Sequence, residues 1–174
     1  MSREDIQAYV HKYLLVHPCS TCGEKNLHTL CFVQQDTTEG EISVSKMLVN
    51  RCSVQRAKNI IDQCVVKCFN CVARERVTEA NEHRGKQENP TSATLKKWMN
   101  IDAIRALMAM RGCKDCGEKD QTVLVYDHIR GDKEFGIMTG ASKGYAWKRL
   151  QAEIKKCEVR CHNCHAKRHQ FKEQ

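Results

Sequence analysis

The chain has 174 residues and a mass of 20.0 kDa, enough for one ordinary domain or two small ones. Apolar residues make up 41% and aromatics only 6%, which argues against a large hydrophobic core. Domains of about 75 residues bury too little surface to stand comfortably alone and need staples, and the 12 cysteines can supply them, while the formal charge of +8 is compatible with a polyanionic partner.

No apolar run approaches a membrane span, and Met1 to Val16 lacks the continuous apolar core and small-residue cleavage site of a signal peptide. The expected setting is therefore a reducing intracellular one, cytoplasmic or nuclear, without secretion and without a membrane partner. There, paired Cys-x-x-Cys motifs read as zinc ligands rather than disulfides. A disulfide scaffold is the alternative, and the spacing described below argues against it.

In chain order, Ile6, Val10, Tyr13 and Leu14 recur at helical spacing and predict a first helix. A knuckle follows at Cys19-Ser-Thr-Cys22-Gly23-Glu24-Lys25, and another at Cys64-Val-Val-Lys-Cys68-Phe-Asn70-Cys71. Arg76 to Thr94 is polar, contains Gly85 and Pro90, and has no apolar periodicity, so it is expected to be a linker or exposed loop. Asn89-Pro90-Thr91-Ser92 ends it and caps the next helix, whose apolar positions are Ile101, Ile104, Leu107 and Met108. The expected organisation is a module over 1–76, a linker over 77–96 and a second module over 97–174.

The second module opens on Cys113-Lys-Asp-Cys116-Gly117-Glu118-Lys119. Thr122-Val-Leu-Val-Tyr-Asp127 predicts a strand that delivers Asp127 and His128 at its end. Gly131, Gly136, Gly140 and Gly144 then predict a stretch that is largely loop. Trp147, Leu150 and Ile154 predict a helix from about Ser142 to Lys156. A short strand over Glu158-Val-Arg160, a knuckle at Cys161 and Cys164, and a final helix from about Asn163 to Gln170 complete the chain.

The two modules are copies. Cys19-Ser-Thr-Cys22-Gly-Glu-Lys and Cys113-Lys-Asp-Cys116-Gly-Glu-Lys lie 94 residues apart, and the segments beginning at Cys64 and Cys157 lie 93 apart. One deletion across more than forty residues, with five cysteines matched, makes tandem duplication the economical reading. The basic excess is unequal: residues 97–174 hold 16 Lys and Arg against 10 Asp and Glu, residues 1–76 only 10 against 8.

Cys113, Cys116, Cys161 and Cys164 can supply a tetrahedral four-thiolate Zn2+ site, and Cys19, Cys22, Cys68 and Cys71 a second. Each such ion leaves its site with a charge of −2, so two would reduce +8 to about +4. Cys64 and Cys157, each four residues before a knuckle, are either alternative ligands or, preferably, buried thiols. Cys31 and Cys52 have no counterparts and read as free thiols.

Asp127 and His128 lie outside both zinc sets. Adjacent strand residues point to opposite faces, so one can hold a metal while the other faces a substrate water. Asp127 offers an oxygen ligand suited to Mg2+ and compatible with Mn2+. His165 and His169, four apart on the final helix, share a face from which both can approach Asp127. His128 is then left as general base. Asp127 capping a turn beside ordinary polar histidines is the plainer alternative.

At these residues the chain resembles the HNH endonucleases. The matching stretch is Cys113-x-x-Cys116, then Val125-Tyr-Asp127-His128-Ile, then Cys161-His-Asn-Cys164-His165-x-x-x-His169. The resemblance implies an α+β fold of tandem zinc-stapled modules, the second a ββα-metal arrangement with an inserted helix. It also implies that Asp127 binds the catalytic metal, that His128 activates water, and that His165 is a second metal ligand. The Asn that gives the family its middle letter has no clear match, since Lys156 and Cys157 occupy its neighbourhood. Asn163, repeated as Asn70 in the first copy, reads as turn structure. In the first copy Val33, Gln34, Val72 and Arg76 stand where Asp127, His128, His165 and His169 stand in the second.

The expected activity is metal-dependent hydrolysis of double-stranded DNA by residues 97–174, with Lys133, Lys143, Lys148, Arg149, Arg160, Lys167 and Arg168 as candidate phosphate contacts. One active site makes one cut, so a monomer nicks and a homodimer can break both strands. A noncatalytic DNA-binding zinc protein and a protein-interaction adaptor are the competing classes. Neither uses the coincidence of Asp127, His128, His165 and His169.

Overall fold

The computed structural model describes residues 3–34 and 54–170, so Cys52 lies outside the described residues. The chain divides into two compact units, Met1–Val72 and Ala73–Gln174.

In the first unit, α1 (Arg3–Val16) buries the predicted stripe, with Ile6 and Leu14 inside and Val10 and Tyr13 packed beside them. Glu4 and Asp5 in its first turn complement the positive end of the helix dipole. A 3-10 turn at Leu27–Thr29, capped by Asn26, leads into β1 (Leu30–Gln34). α2 (Val54–Ile61) packs Ala57 and Ile61 against Ile6, and β2 (Cys64–Cys68) pairs antiparallel with β1. Helix α3 (Phe69–Gly85) begins at the knuckle and carries the chain across the unit boundary.

In the second unit α4 (Ser92–Arg111) starts where the sequence places a cap: the Thr91 side chain accepts the Thr94 N–H at 3.2 Å. It ends at Gly112, whose φ of 68° favours glycine. There follow β3 (Leu124–His128), α5 (Ile137–Ser142), α6 (Trp147–Ile154), β4 (Cys157–Cys161) and α7 (His162–Gln170). β3 and β4 form an antiparallel pair on which α7 packs, over a core that includes Ile104, Met108, Val123, Leu150, Ile154 and Val159. The result is a mixed α/β architecture whose two four-cysteine clusters are consistent with tandem zinc-stapled modules.

The two sheets share one register. Leu30 faces Cys68 as Leu124 faces Cys161, and Gln34 faces Cys64 as His128 faces Cys157. The offsets are those of the sequence repeat. α2 and α6 correspond as well, 93 residues apart, so the helix before the second knuckle belongs to both copies rather than being peculiar to the second.

Two segments differ from expectation. The stretch expected as a loop or linker over 77–96 is helical through Gly85 and again from Ser92. Its ties are ionic rather than apolar, which is why no periodicity announced it: Arg84 pairs bidentately with Asp102 at 2.8 Å and stacks on the Trp98 ring. The glycine-rich stretch expected as loop contains α5. Gly140 lies there for closeness rather than flexibility, since a Cβ would meet the Phe135 ring at 2.7 Å and Leu150 at 3.1 Å. The positive φ of Gly144 separates α5 from α6, where a single helix from Ser142 was expected. Among the described residues, no helix is long and apolar enough to cross a membrane.

Candidate metal centres

Both knuckles are built from the same backbone bonds. The N–H of Cys19 donates to the Glu24 carbonyl at 2.8 Å and that of Gly23 to the Cys19 carbonyl at 2.9 Å. In the second copy Cys113 donates to Glu118 at 2.7 Å and Gly117 to Cys113 at 2.8 Å. Gly23 and Gly117 take φ of 76° and 75°, which a side chain would resist. The turn brings both sulfurs of a pair to one side, and the next strand returns the other pair to it.

Cys19, Cys22, Cys68 and Cys71 present their sulfurs within 4.8 Å of one another, as do Cys113, Cys116, Cys161 and Cys164. The Cys22–Cys68 and Cys116–Cys161 sulfur separations are 3.7 and 3.8 Å. Zn–S bonds of about 2.3 Å in a tetrahedron place sulfurs about 3.8 Å apart, so both clusters fit the ion. Burial disfavours the Cys19 thiolate, but the backbone N–H groups of Cys68, Cys22 and Thr21 outweigh it and bring that thiol down to about 6. Burial and the neighbouring sulfurs instead drive Cys71 and Cys164 upward. A cation is what allows all four in a set to ionise together. The fourth-before cysteines are not ligands: Cys64 and Cys157 donate to the carbonyls of Ile60 and Glu153 at 3.1 and 3.4 Å. Burial pushes the Cys157 thiol up to about 11. Cys31 also has a backbone partner, the Lys67 carbonyl, at 3.3 Å.

The third cluster joins β3 to α7. Asp127, its side chain 2% exposed, turns one carboxylate oxygen to two imidazoles and the other to two guanidinium groups. Oδ1 lies 3.6 Å from His165 Nε2 and 3.2 Å from His169 Nε2. Oδ2 accepts from Arg160 at 3.0 Å and from Arg168 at 2.7 Å. The three candidate ligand atoms all fall within 4.8 Å of one another. Donors bound at about 2.0–2.2 Å to one ion lie about 3–3.6 Å from their neighbours, so the set can hold a divalent cation.

The electrostatics suit that use. Burial opposes the charge on Asp127, but the bond from His169 and the charges of His165 and Arg168 outweigh it and hold the carboxyl below its ordinary range. Burial lowers His165 more than the Asp127 charge raises it, favouring the neutral imidazole that a metal needs. His165 and His169 keep 38% and 44% of their side-chain surface, so the cluster is closed on the Asp127 side and open on the helix side.

His128 is not in this cluster. It leaves the opposite face of β3 toward α6, is 13% exposed, and its Nε2 lies 2.8 Å from Glu153 Oε1. Glu153 was not singled out by sequence, although an acid three residues after Leu150 and beside Ile154 breaks the apolar face of α6 and was visible as an anomaly.

Among the expected phosphate contacts, Lys133, Lys143 and Lys148 are exposed and Lys167 is half-buried. Arg149 stacks on the Phe135 and Tyr145 rings at 5.0 and 4.3 Å while keeping half its surface. Arg168 is partly exposed beside Asp127. Arg160 differs from the others: it is 6% exposed and bonds Asp115, Asp127 and Glu158, so its guanidinium is engaged within the fold rather than presented at the surface. No protein-family model, curated protein or solved structure matches this chain.

Proposed function

We propose that residues 97–174 form an HNH-type endonuclease module that hydrolyses phosphodiester bonds of double-stranded DNA with the help of a divalent cation. The observation that carries this reading is the meeting of Asp127, His165 and His169 within 4.8 Å across two distant segments. The first copy keeps its four cysteines but has Val33, Val72 and Arg76 at the corresponding positions. A cluster needed only for folding would have no reason to be confined to one copy.

Asp127, His165 and His169 would hold Mg2+ or Mn2+, and two nitrogen donors favour Mn2+. When bound, such an ion supplies charge stabilisation for the phosphate and the leaving 3′ oxygen. Arg168, beside Asp127 and partly exposed, adds a fixed positive charge where a phosphate would rest. His128 takes a proton from water as its oxygen bonds to phosphorus. The P–O3′ bond breaks, and the 3′ oxygen acquires its proton from solvent. Lys133, Lys143 and Lys148 extend the contact along the backbone. The first module then serves as a noncatalytic zinc module, and a homodimer would be needed for paired cuts.

Supercoiled plasmid incubated with the protein and Mn2+ or Mg2+ tests the reading. Conversion to open-circular or linear DNA is expected, with a loss of about 10²-fold or more in His128→Ala while mobility-shift binding persists. Equal cleavage by both proteins would reject His128 as the base. Binding without cleavage by either, on linear and branched duplexes as well, would favour a noncatalytic DNA-binding zinc protein.

A further inference from the structure

We infer that Glu153 is a positioning residue for His128, fixing the imidazole with its hydrogen on Nε2 so that the Nδ1 lone pair is the one that receives the proton from water. The inference rests on the nuclease reading above.

Glu153 is 1% exposed, and its carboxylate is met by the His128 imidazole, a backbone N–H and an ammonium group. Oε1 lies 2.8 Å from His128 Nε2 and accepts from the Glu134 N–H at 3.0 Å, while Oε2 accepts from Lys156 Nζ at 2.8 Å. A carboxylate compensated by an ammonium at that distance stays ionised and has no hydrogen to give. The hydrogen in the His128 contact must therefore sit on the imidazole at Nε2. A neutral ring carrying it there has its lone pair on Nδ1. A buried acid that sets the tautomer of a general base is a known device for keeping the reactive nitrogen aimed.

The duplication supplies an internal control. Cys64 and Cys157 bond the carbonyls of residues 60 and 153, which makes those two positions equivalent in the folded modules. Position 60 is isoleucine, and Gln34 stands where His128 stands. The same helix and hairpin thus form with an apolar residue in that slot, and burying a carboxylate there is costly unless it is used. Acid and imidazole occur together in the second copy, and neither occurs in the first.

A purely structural alternative exists: Glu153 ties down the loop before α5 through the Glu134 N–H and through Lys156, which also holds the Asp132 carbonyl at 3.0 Å. The two roles separate in Glu153→Ile, which installs the residue of the first copy, and in Glu153→Gln, which keeps an acceptor. Long-range 1H–15N correlation NMR of the zinc-loaded full chain, with His128 assigned by its absence in His128→Ala, reads the tautomer. The wild type is expected to carry the hydrogen on Nε2. Glu153→Ile should lose that preference and about 10²-fold in kcat on plasmid, with KM little changed. Glu153→Gln should retain the tautomer and most of the rate. A hydrogen on Nδ1 in the wild type would overturn the inference. So would an unaltered tautomer and kcat in Glu153→Ile with only a lower Tm, the signature of a loop staple. Should Glu153→Ile fail to fold, loss of the Nε2 preference in a folded Glu153→Gln would overturn it equally. No cleavage by the wild type on any duplex refutes the nuclease reading itself, and cleavage undiminished in His128→Ala rejects His128 as the base; loss in His128→Ala beside a wild-type kcat in Glu153→Ile refutes only this assignment.

Discussion

Arg160 is the basic residue whose surroundings differ most from what charge alone suggests. In a basic module an arginine just before a knuckle reads as a phosphate contact, yet its three carboxylate partners come from the knuckle, from β3 and from the neighbouring position of β4. Long-range convergence of that kind leaves no local trace in sequence. Its consequence is energetic. Truncating Arg160 leaves the buried Asp127, among the described residues, with Arg168 as its one guanidinium partner and removes the Nε bond to Asp115. Arg160→Leu should lower the unfolding free energy by about 3 kcal/mol, read as a fall in urea midpoint at constant m-value. A stability unchanged within error would show the cluster to be adventitious. His165 and His169 were legible for the opposite reason, because a spacing of four on a helix is itself a geometric statement.

The knuckles were the most legible elements. Two residues between cysteines, followed by Gly-Glu-Lys, specify a turn whose hydrogen bonds are local, and both copies form it alike. Helices α3 and α5 were missed because one is tied by ion pairs and the other is a six-residue helix rich in small residues. The knuckles also set a pH dependence. Cys19 is depressed from 9.0 to about 6, so its contribution to stability is fully present above the unfolded thiol value and is lost as pH falls through 6. Cys113 is shifted in the same direction, and zinc adds to the trend because bound thiolates carry no protons while unfolded thiols do. Thermal unfolding at buffered free Zn2+ should therefore show Tm rising from pH 6 to pH 9. A flat or falling Tm over that window would argue against four-thiolate zinc in the knuckles.

The molecule reads as one plan executed twice with different endowments. Register, knuckles and the helix before the second cysteine pair recur in both units. Asp127, His165, His169, His128 and the buried Glu153 occur in the second alone, where Val33, Val72, Arg76, Gln34 and Ile60 stand in the first. The duplication and its asymmetry were plain from spacing, and so were the residues that meet in the three clusters; the acid behind His128 needed the fold, since 25 residues separate the two. Titration of the zinc-loaded chain with Mn2+, followed by electron paramagnetic resonance, asks whether Asp127, His165 and His169 hold a cation. One bound Mn2+ per chain is expected, abolished when the partly exposed His165 and His169 are both changed to alanine. No bound Mn2+ in the wild type, or undiminished binding in that variant, would contradict it.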